Sequence, residues 1–283
     1  MRRKYLVGRI LLYACVLGIV LWTVAPYLWL IVSSLSYKID LLTVPLQWIP
    51  KRLTFENYQN LFFDRGSATA NVSLFIHSLR NSAIIATSAM LIAMFLGVLS
   101  AYALARLKFP GNNLFMLLMM MGYMLPPIAI VVPLYVILRR YDLLDKHLGL
   151  ILVYMSFILP LVIWLMRSYF ATIPSELEDA AMIDGCTPLG ALFRVILPLS
   201  LPGLVSVAVF AFIAAWNEYL YAFIYTNVDA KTLPVLIGEF STKLGLEYLR
   251  IAAAGVLASL PPVILALVFQ RFIIRGLTAG AVK

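Results

Sequence analysis

The chain has 283 residues, of which 63% are hydrophobic and 12% charged, and its formal net charge is +9. So apolar a composition excludes an ordinary soluble domain and indicates a membrane protein. The positive charge fits anionic lipid head groups rather than nucleic acid, because no basic cluster lies on a soluble segment that could bind phosphates.

The residues of catalytic and metal chemistry are few and scattered. Cys15 and Cys186 are too few for a disulfide framework or a metal site. His77 and His147 belong to no cluster of His, Cys and Asp, so both are interpreted as isolated residues of exposed segments. No G-x-x-x-x-G-K-[ST] sequence occurs, so the chain has no phosphate-binding loop of that type. We therefore expect no catalytic residue and no bound metal.

Six apolar runs are each near the ~20 residues that a helix needs to cross ~30 Å of hydrocarbon. The predicted spans cover residues 10–33, 81–105, 114–138, 148–166, 201–225 and 251–274. Prolines at 126, 127 and 133 predict a kink in the third span. The pattern predicts an all-α integral membrane fold with six transmembrane helices.

The orientation is predicted from the first span. Arg2, Arg3, Lys4 and Arg9 precede it, which places the N-terminus in the cytoplasm. Six spans return the C-terminus to the same side. The 22 Lys and Arg residues divide equally between the two proposed sides, so their total does not decide the orientation.

The segment 174–198, called here the docking loop, is one of few polar passages. It is predicted to form two short amphipathic helices joined at a glycine. Ser175 and Glu178 fit a capping box at the start of the first helix. Gly185 stands where that helix is expected to end.

The second loop helix is predicted to begin with Thr187 as N-cap and Pro188 in the first turn, and to stop at Pro198. An amphipathic helix lying on the membrane surface is the alternative to a docking element. Such a helix is basic on its polar face. The loop instead carries the acids Glu176, Glu178, Asp179 and Asp184.

This loop resembles the EAA loop of bacterial ABC importer permeases, in which Glu-Ala-Ala, three residues, Gly, nine residues and Ile-x-Leu-Pro follow one another. The corresponding segments here are Asp179-Ala180-Ala181, Gly185 and Val195-Ile196-Leu197-Pro198. Aspartate and valine replace the family's glutamate and isoleucine. Glu178 lies next to the replaced acid, so two acids are candidates for the contact with a partner.

Further stretches are similar to the sugar-importing branch of this family, and most of all to the smaller permease of maltose-type uptake systems. The similarity covers nearly the whole chain. These stretches are Asn57-Tyr58, Asn81-Ser82, Ala101-Tyr102-Ala103 with Arg106, Phe109-Pro110-Gly111, Trp216-Asn217-Glu218 and the tail 275–283.

The resemblance implies a type I ABC importer fold with a cytoplasmic two-helix coupling loop. Residues 1–36 are then an N-terminal cytoplasmic tip and the first transmembrane helix, and residues 37–76 an external segment with short interfacial helices. A five-helix MetI-like permease core follows at 77–274, with the coupling loop at 171–200. Residues 275–283 form a cytoplasmic C-terminal tail.

The resemblance also implies the partners and the cellular location. A second permease and two ATPase subunits complete the transporter in a bacterial or archaeal cell membrane, and an extracytoplasmic binding protein delivers a sugar. ATP and Mg²⁺ are bound by the ATPase, and no cofactor by this chain. The residues expected to couple to the ATPase are Glu178, Asp179, Ala180, Ala181, Asp184, Gly185, Leu197 and Pro198.

The solute path is harder to place. Glu218 is the only acid inside a predicted span, and an ionisable residue there is a functional candidate. It either lines the path with Trp216, Asn217 and Tyr221 or serves as a structural residue near the outer interface. Both interpretations stay open at this point.

Other functions remain as alternatives. The chain could be a permease for another small polar solute, such as a glycerol phosphate. An ion-coupled secondary transporter predicts several buried acids and matching broken helices in two halves, and only Glu218 fits. A membrane enzyme needs a nucleophile with its base, or a metal set, and the sequence offers neither.

Overall fold

The computed structural model describes residues 2–41, 48, 50, 52–63, 72–107, 109–240 and 248–278, and across these residues it contains helices and turns but no strand. The all-α prediction is therefore confirmed. The chain divides into two compact units, the first formed by Met1–Ile76 with Leu236–Ser259 and the second by His77–Val235 with Leu260–Lys283.

The first unit starts with three helices, α1 (Arg2–Ser34), α2 (Lys38–Leu41) and α3 (Glu56–Phe63). Side chains of α3 form hydrogen bonds with the C-terminal end of α1. Asn57 donates from Nδ2 to the carbonyl oxygens of Ser34 at 2.9 Å and Ser36 at 3.0 Å, so it pairs carbonyls near the helix end. The Tyr58 hydroxyl lies 2.7 Å from Ser34 Oγ. The Asn57-Tyr58 pair thus fixes how the chain leaves α1.

The remaining helices follow in chain order. They are α4 (Val72–Arg106), α5 (Asn112–Tyr123), α6 (Pro127–Arg140), α7 (His147–Phe170), α8 (Glu176–Ile183), α9 (Pro188–Ala191), α10 (Leu197–Leu199), α11 (Leu201–Trp216), α12 (Leu220–Tyr225), α13 (Leu233–Glu239) and α14 (Tyr248–Thr278). A π-helical segment, Leu192–Ile196, joins α9 to α10. Residues 279–283 of the predicted tail lie outside the described residues.

Several of these helices could cross a membrane, judged by length and composition. Among the described residues there are four such helices, Gly8–Ser34, Leu74–Arg106, His147–Phe170 and Tyr248–Ile274. Two bent pairs pass the same test, α5 with α6 at 92° and Pro188–Leu199 with α11 at 82°. Counting each bent pair as one span gives six, the predicted number, although the second pair joins the second helix of the docking loop to α11 and so differs from the predicted span 201–225.

Two predicted spans differ from the structure. The expected kinked helix over 114–138 is two helices, because Pro126 is extended with ψ 129° and Pro127 begins α6; a residue before proline disfavours the helical region. The expected helix over 201–225 is broken between Trp216 and Leu220. Both long apolar runs therefore contain a turn that their composition does not reveal.

The core of the second unit is centred on α7. Small residues let neighbouring helices approach it closely. A Cβ added to Gly203 of α11 would lie 2.5 Å from the Tyr169 ring, and one added to Gly97 of α4 would lie 2.5 Å from Val162 Cγ1. Six α7 side chains are fully buried, namely Leu150, Tyr154, Ile158, Val162, Met166 and Phe170.

A second fixed point, called here the Asp145 clamp, joins Asp145 to the backbone of residues 227–230. Its carboxylate accepts the N–H groups of Asn227, Val228, Asp229 and Ala230 at 2.9–3.1 Å. Burial raises the pKa of this carboxyl, but the four N–H donors outweigh burial together, so its pKa lies below the ordinary value.

The N-terminal part of α4 holds the same loop. Asn81 donates from Nδ2 to the carbonyl oxygens of Asp229 at 2.9 Å and Lys231 at 3.0 Å. Its Oδ1 lies 2.8 Å from His147 Nε2, and His77 Nε2 lies 3.0 Å from the Asp229 carbonyl oxygen. His77 is exposed as predicted and His147 is half-buried, but each lies within hydrogen-bond distance of this region, which the sequence did not indicate.

Candidate functional site

The first helix of the docking loop begins without the predicted capping box. Ser175 precedes α8, but its side chain makes no capping hydrogen bond. Glu178 N–H donates to the backbone oxygen of Ser175 at 2.9 Å instead. The Glu178 side chain is turned away from the helix start because it has partners on α4.

Glu178 is buried against the C-terminal end of α4. The Tyr102 hydroxyl donates to Oε1 of Glu178, and Arg106 Nε lies 3.2 Å from Oε2 as an ion pair. The pair is not aligned as a hydrogen bond, whereas Arg106 Nη2 donates to the carbonyl oxygen of Ile173 at 2.7 Å. Glu178, one of the predicted coupling residues, therefore makes its contacts within the chain.

The opposite side of α8 is free of such contacts. Asp179, Ala180 and Asp184 are exposed, whereas Ala181 is buried. The outward side thus combines two acids with a small residue, which permits close approach by a partner.

The predicted glycine stop is confirmed. Gly185 has φ +88° and donates its N–H to the Met182 oxygen, while Cys186 N–H donates to the Ala181 oxygen, both at 3.0 Å. This is the hydrogen-bond pattern of a Schellman motif, in which glycine takes the left-handed position. Gly185 itself is exposed.

The start of the second loop helix is also confirmed, but its end is not. Thr187 Oγ1 accepts the Gly190 N–H at 3.1 Å, and Pro188 occupies the first turn. The helix passes through Pro198 and ends at Leu199, after a π-helical segment in which Leu197 N–H bonds the Leu192 oxygen. Proline lacks an N–H donor, and here the helix widens before Pro198 rather than stopping there. Leu197 is half-buried and Pro198 exposed.

The second candidate region lies where α11 breaks. Glu218 lies within the break and caps α12, since Oε1 accepts the Tyr221 N–H at 2.7 Å and Oε2 accepts the Ala222 N–H at 3.0 Å. A carboxylate at a helix start pairs N–H groups that the helix leaves free. This gives Glu218 a local structural role.

A cavity of about 390 Å³ adjoins this break. It lies between the broken α5–α6 pair, α7 and α12. Glu218 and Tyr221 line it, whereas Trp216 is buried against Phe212 and Asn217 is exposed elsewhere. The lining residues are Gly122, Tyr123, Leu125, Pro127, Ile130, Ser156, Phe157, Glu218, Leu220 and Tyr221.

The structure therefore brings together two of the four residues predicted for the solute path. Sequence reasoning missed Ser156 and Phe157 of α7 and the residues around the α5–α6 break. The paired prolines at 126 and 127 were the available signal. Within the described part of the chain, no group of three or more His, Cys, Asp or Glu residues could hold a metal ion.

Comparison with known proteins shows which family the chain matches. The family described as binding-protein-dependent transport system inner membrane component matches residues 93–279. The trehalose transport system permease protein SugB of Mycobacterium tuberculosis is 41% identical over 265 residues, covering 93% of each chain. The trehalose/maltose transport system permease protein MalG of Thermococcus litoralis is 35% identical over 283 residues, covering 99% of each.

A solved structure supports the fold. A chain in the crystal structure of a bacterial ABC transporter involved in the import of the acidic polysaccharide alginate superposes with a TM-score of 0.74. The two chains are 24% identical, and the match covers 96% of this chain and 98% of the other. At that identity the likeness concerns the fold.

Proposed function

The chain belongs to the binding-protein-dependent transport system inner membrane components, and from that premise we propose that it forms half of the pathway by which an ATP-driven importer carries a sugar or oligosaccharide. Members of this family are membrane subunits of transporters rather than enzymes. The relative SugB is named as a trehalose permease and the relative MalG as a trehalose/maltose permease, which supports a saccharide as the solute.

The observation that carries this proposal is the outward side of the docking loop. Asp179, Ala180, Asp184 and Gly185 are exposed together, and the Schellman turn fixes their arrangement. An ATPase subunit would contact these residues, with Asp179 rather than the buried Glu178 meeting a basic group. ATP and Mg²⁺ would be bound by the ATPase, and a second permease and an extracytoplasmic binding protein would complete the assembly.

The cavity beside Glu218 supports a solute path along the same chain. Residues at both the α5–α6 and the α11–α12 breaks line this cavity, and non-helical backbone at membrane depth is tolerated where it lines a cavity. Of the residues that line the cavity, Glu218 and Tyr221 are the two that the sequence predicted for the solute path. Glu218 also caps α12, so substitution there would change the helix start as well as the wall.

The proposal is tested with the exposed alanine of the loop. Ala180→Arg places a long cation on the side proposed to meet the ATPase, whereas Ala181 is buried, and arginine there would disturb the chain itself. We expect Ala180→Arg to insert in the membrane but to lose ATPase copurification and ATP-dependent uptake of labelled trehalose or maltose. Normal uptake by this variant would contradict the coupling assignment.

A further inference from the structure

Glu178 ties the docking loop to α4, and we infer that it is a positioning residue that makes the loop and α4 move as one body. The inference rests on the proposed function, in which the loop receives motion from the ATPase. The chain connects the loop directly to α7 and α11 alone. Without Glu178, α4 would be linked to the loop only by apolar packing and by the contacts of Arg106 and Tyr102 with the backbone carbonyls of Ile173 and Pro188.

The geometry singles out this acid. Glu178 is buried, whereas the neighbouring acids Glu176 and Asp179 are exposed. Its two oxygens meet Tyr102 and Arg106, which lie four residues apart and so on one face of α4. A two-point contact of this kind fixes the orientation of α8 as well as its distance from α4.

The same two α4 residues also contact the chain on both sides of α8. Arg106 Nη2 donates to the carbonyl oxygen of Ile173, immediately before the loop, at 2.7 Å. The Tyr102 hydroxyl oxygen lies 3.0 Å from the carbonyl oxygen of Pro188, at the start of the second loop helix. One turn of α4 therefore holds the entry to the loop and both of its helices.

Burial makes this connection stiff. The side chains of Arg106 and Glu178 are 13% and 9% exposed. Removing one member of a buried pair leaves the other charge uncompensated, which is strongly unfavourable. The loop therefore cannot turn away from α4 without separating these charges, and a displacement of α8 carries α4 with it.

The experiment measures coupling in the complete transporter, reconstituted in liposomes with its ATPase and binding protein. Tyr102→Phe removes one hydroxyl and keeps the ring that packs edge-on against Phe170 at 6.4 Å between centroids. Glu178→Gln removes the charge and keeps the shape. We expect both variants to assemble with the ATPase. The ATP hydrolysed per imported solute molecule is expected to rise, because loss of one hydrogen bond to a charged group weakens the attachment of the loop to α4 by about tenfold.

Glu176→Gln is the matched control, because it makes the same substitution on an exposed acid of the same helix. Its ratio of ATP hydrolysed to solute imported is expected to equal that of the wild type. The charge swap Arg106→Glu with Glu178→Arg is expected to recover part of the coupling that Arg106→Glu alone loses.

An unchanged ratio in Tyr102→Phe and Glu178→Gln overturns the inference. Hydrolysis and import falling in proportion, together with lost assembly, also overturns it, since that is the result of a merely structural role. Failure of the proposed function is distinct, because the wild-type complex itself would then show no ATP-dependent import.

Discussion

At the scale of single residues, Asp145 shows how one carboxylate orders a loop. It accepts four backbone N–H groups of residues 227–230 and has φ +55°. Asp145→Asn removes the charge but tolerates this backbone conformation. We expect a loss of about 1–2 kcal/mol in the free energy of unfolding, measured by thermal unfolding in detergent.

Asp142→Asn is the control for that prediction. Asp142 has a similar φ of +53°, but its exposed side chain pairs with the exposed Lys146. Because exposed pairs contribute little, we expect no measurable change in unfolding temperature. Equal effects of the two substitutions would show that the clamp adds nothing.

The lowered pKa of Asp145 also predicts a pH dependence. A carboxyl whose folded pKa lies below its unfolded pKa of ~3.9 stabilises the fold fully above that value. The contribution is lost as the pH falls through the lowered folded pKa. The difference in unfolding temperature between wild type and Asp145→Asn should be constant from about pH 7 to 5 and shrink below about pH 4.

Gly185 gives a prediction that separates backbone strain from crowding. A Cβ at this position meets no atom within 4 Å, but φ is +88°. Valine in the left-handed region costs about 1–2 kcal/mol, whereas asparagine adopts it readily. We expect Gly185→Asn to retain most ATP-dependent uptake and Gly185→Val to lose it, with both proteins inserted at normal levels.

At the scale of elements, the approach of α11 to α7 depends on Gly203. A Cβ there would lie 2.5 Å from the Tyr169 ring, so a larger side chain must separate the helices. Gly203→Leu is expected to destabilise the chain by about 1–3 kcal/mol, the usual cost of overpacking. Thermal unfolding in detergent measures this change.

Gly18→Leu is the matched substitution for Gly203→Leu. Gly18 lies within α1, and a Cβ added to it meets no atom within 4 Å. The unfolding temperature of the isolated chain should therefore not fall, since the added side chain meets no neighbour and leucine is the better helix former. Because leucine has the higher helix propensity, propensity cannot cause a loss, and an equal loss in both variants would contradict the packing explanation.

The sequence predicts those elements whose signals are local. Apolar runs locate α1, α4, α7 and α14, and Gly185 and Thr187 locate the turn between the loop helices. The predicted capping box does not form because Glu178 instead accepts a hydrogen bond from Tyr102, a residue 76 positions away. Asn81 and Asp229 are 148 positions apart, so no local pattern could predict their contact.

The sequence does not predict the two helix breaks, for a different reason. Residues on both sides of the α5–α6 and α11–α12 breaks are as apolar as the helices themselves. Composition therefore measures the length of the run but not whether it is straight. The paired prolines predict a bend near 126, whereas Glu218 gives a sign of a break only once its bonds to Tyr221 and Ala222 are known.

At the scale of the whole molecule, the proposed orientation makes a labelling prediction. Cys186 lies in the docking loop and is partly exposed, and Val228 in the Asp145 clamp is exposed. In a Cys15→Ser background without the ATPase, a membrane-impermeant maleimide should label Cys186 in inverted vesicles only. A cysteine at Val228, in a background also lacking Cys186, should be labelled in intact cells. The reverse pattern would invert the topology.

The nearly right-angled bend between Pro188–Leu199 and α11 determines how a displacement of the loop would reach α11. At ~1.5 Å per residue the short arm is roughly 18 Å long, and it meets the longer arm at 82°. Pushing the free tip sideways by about 5 Å swings the short arm by about 15° if the bend stays stiff. The longer arm would then turn about its own axis, so a sideways displacement of the short arm would become a rotation of α11.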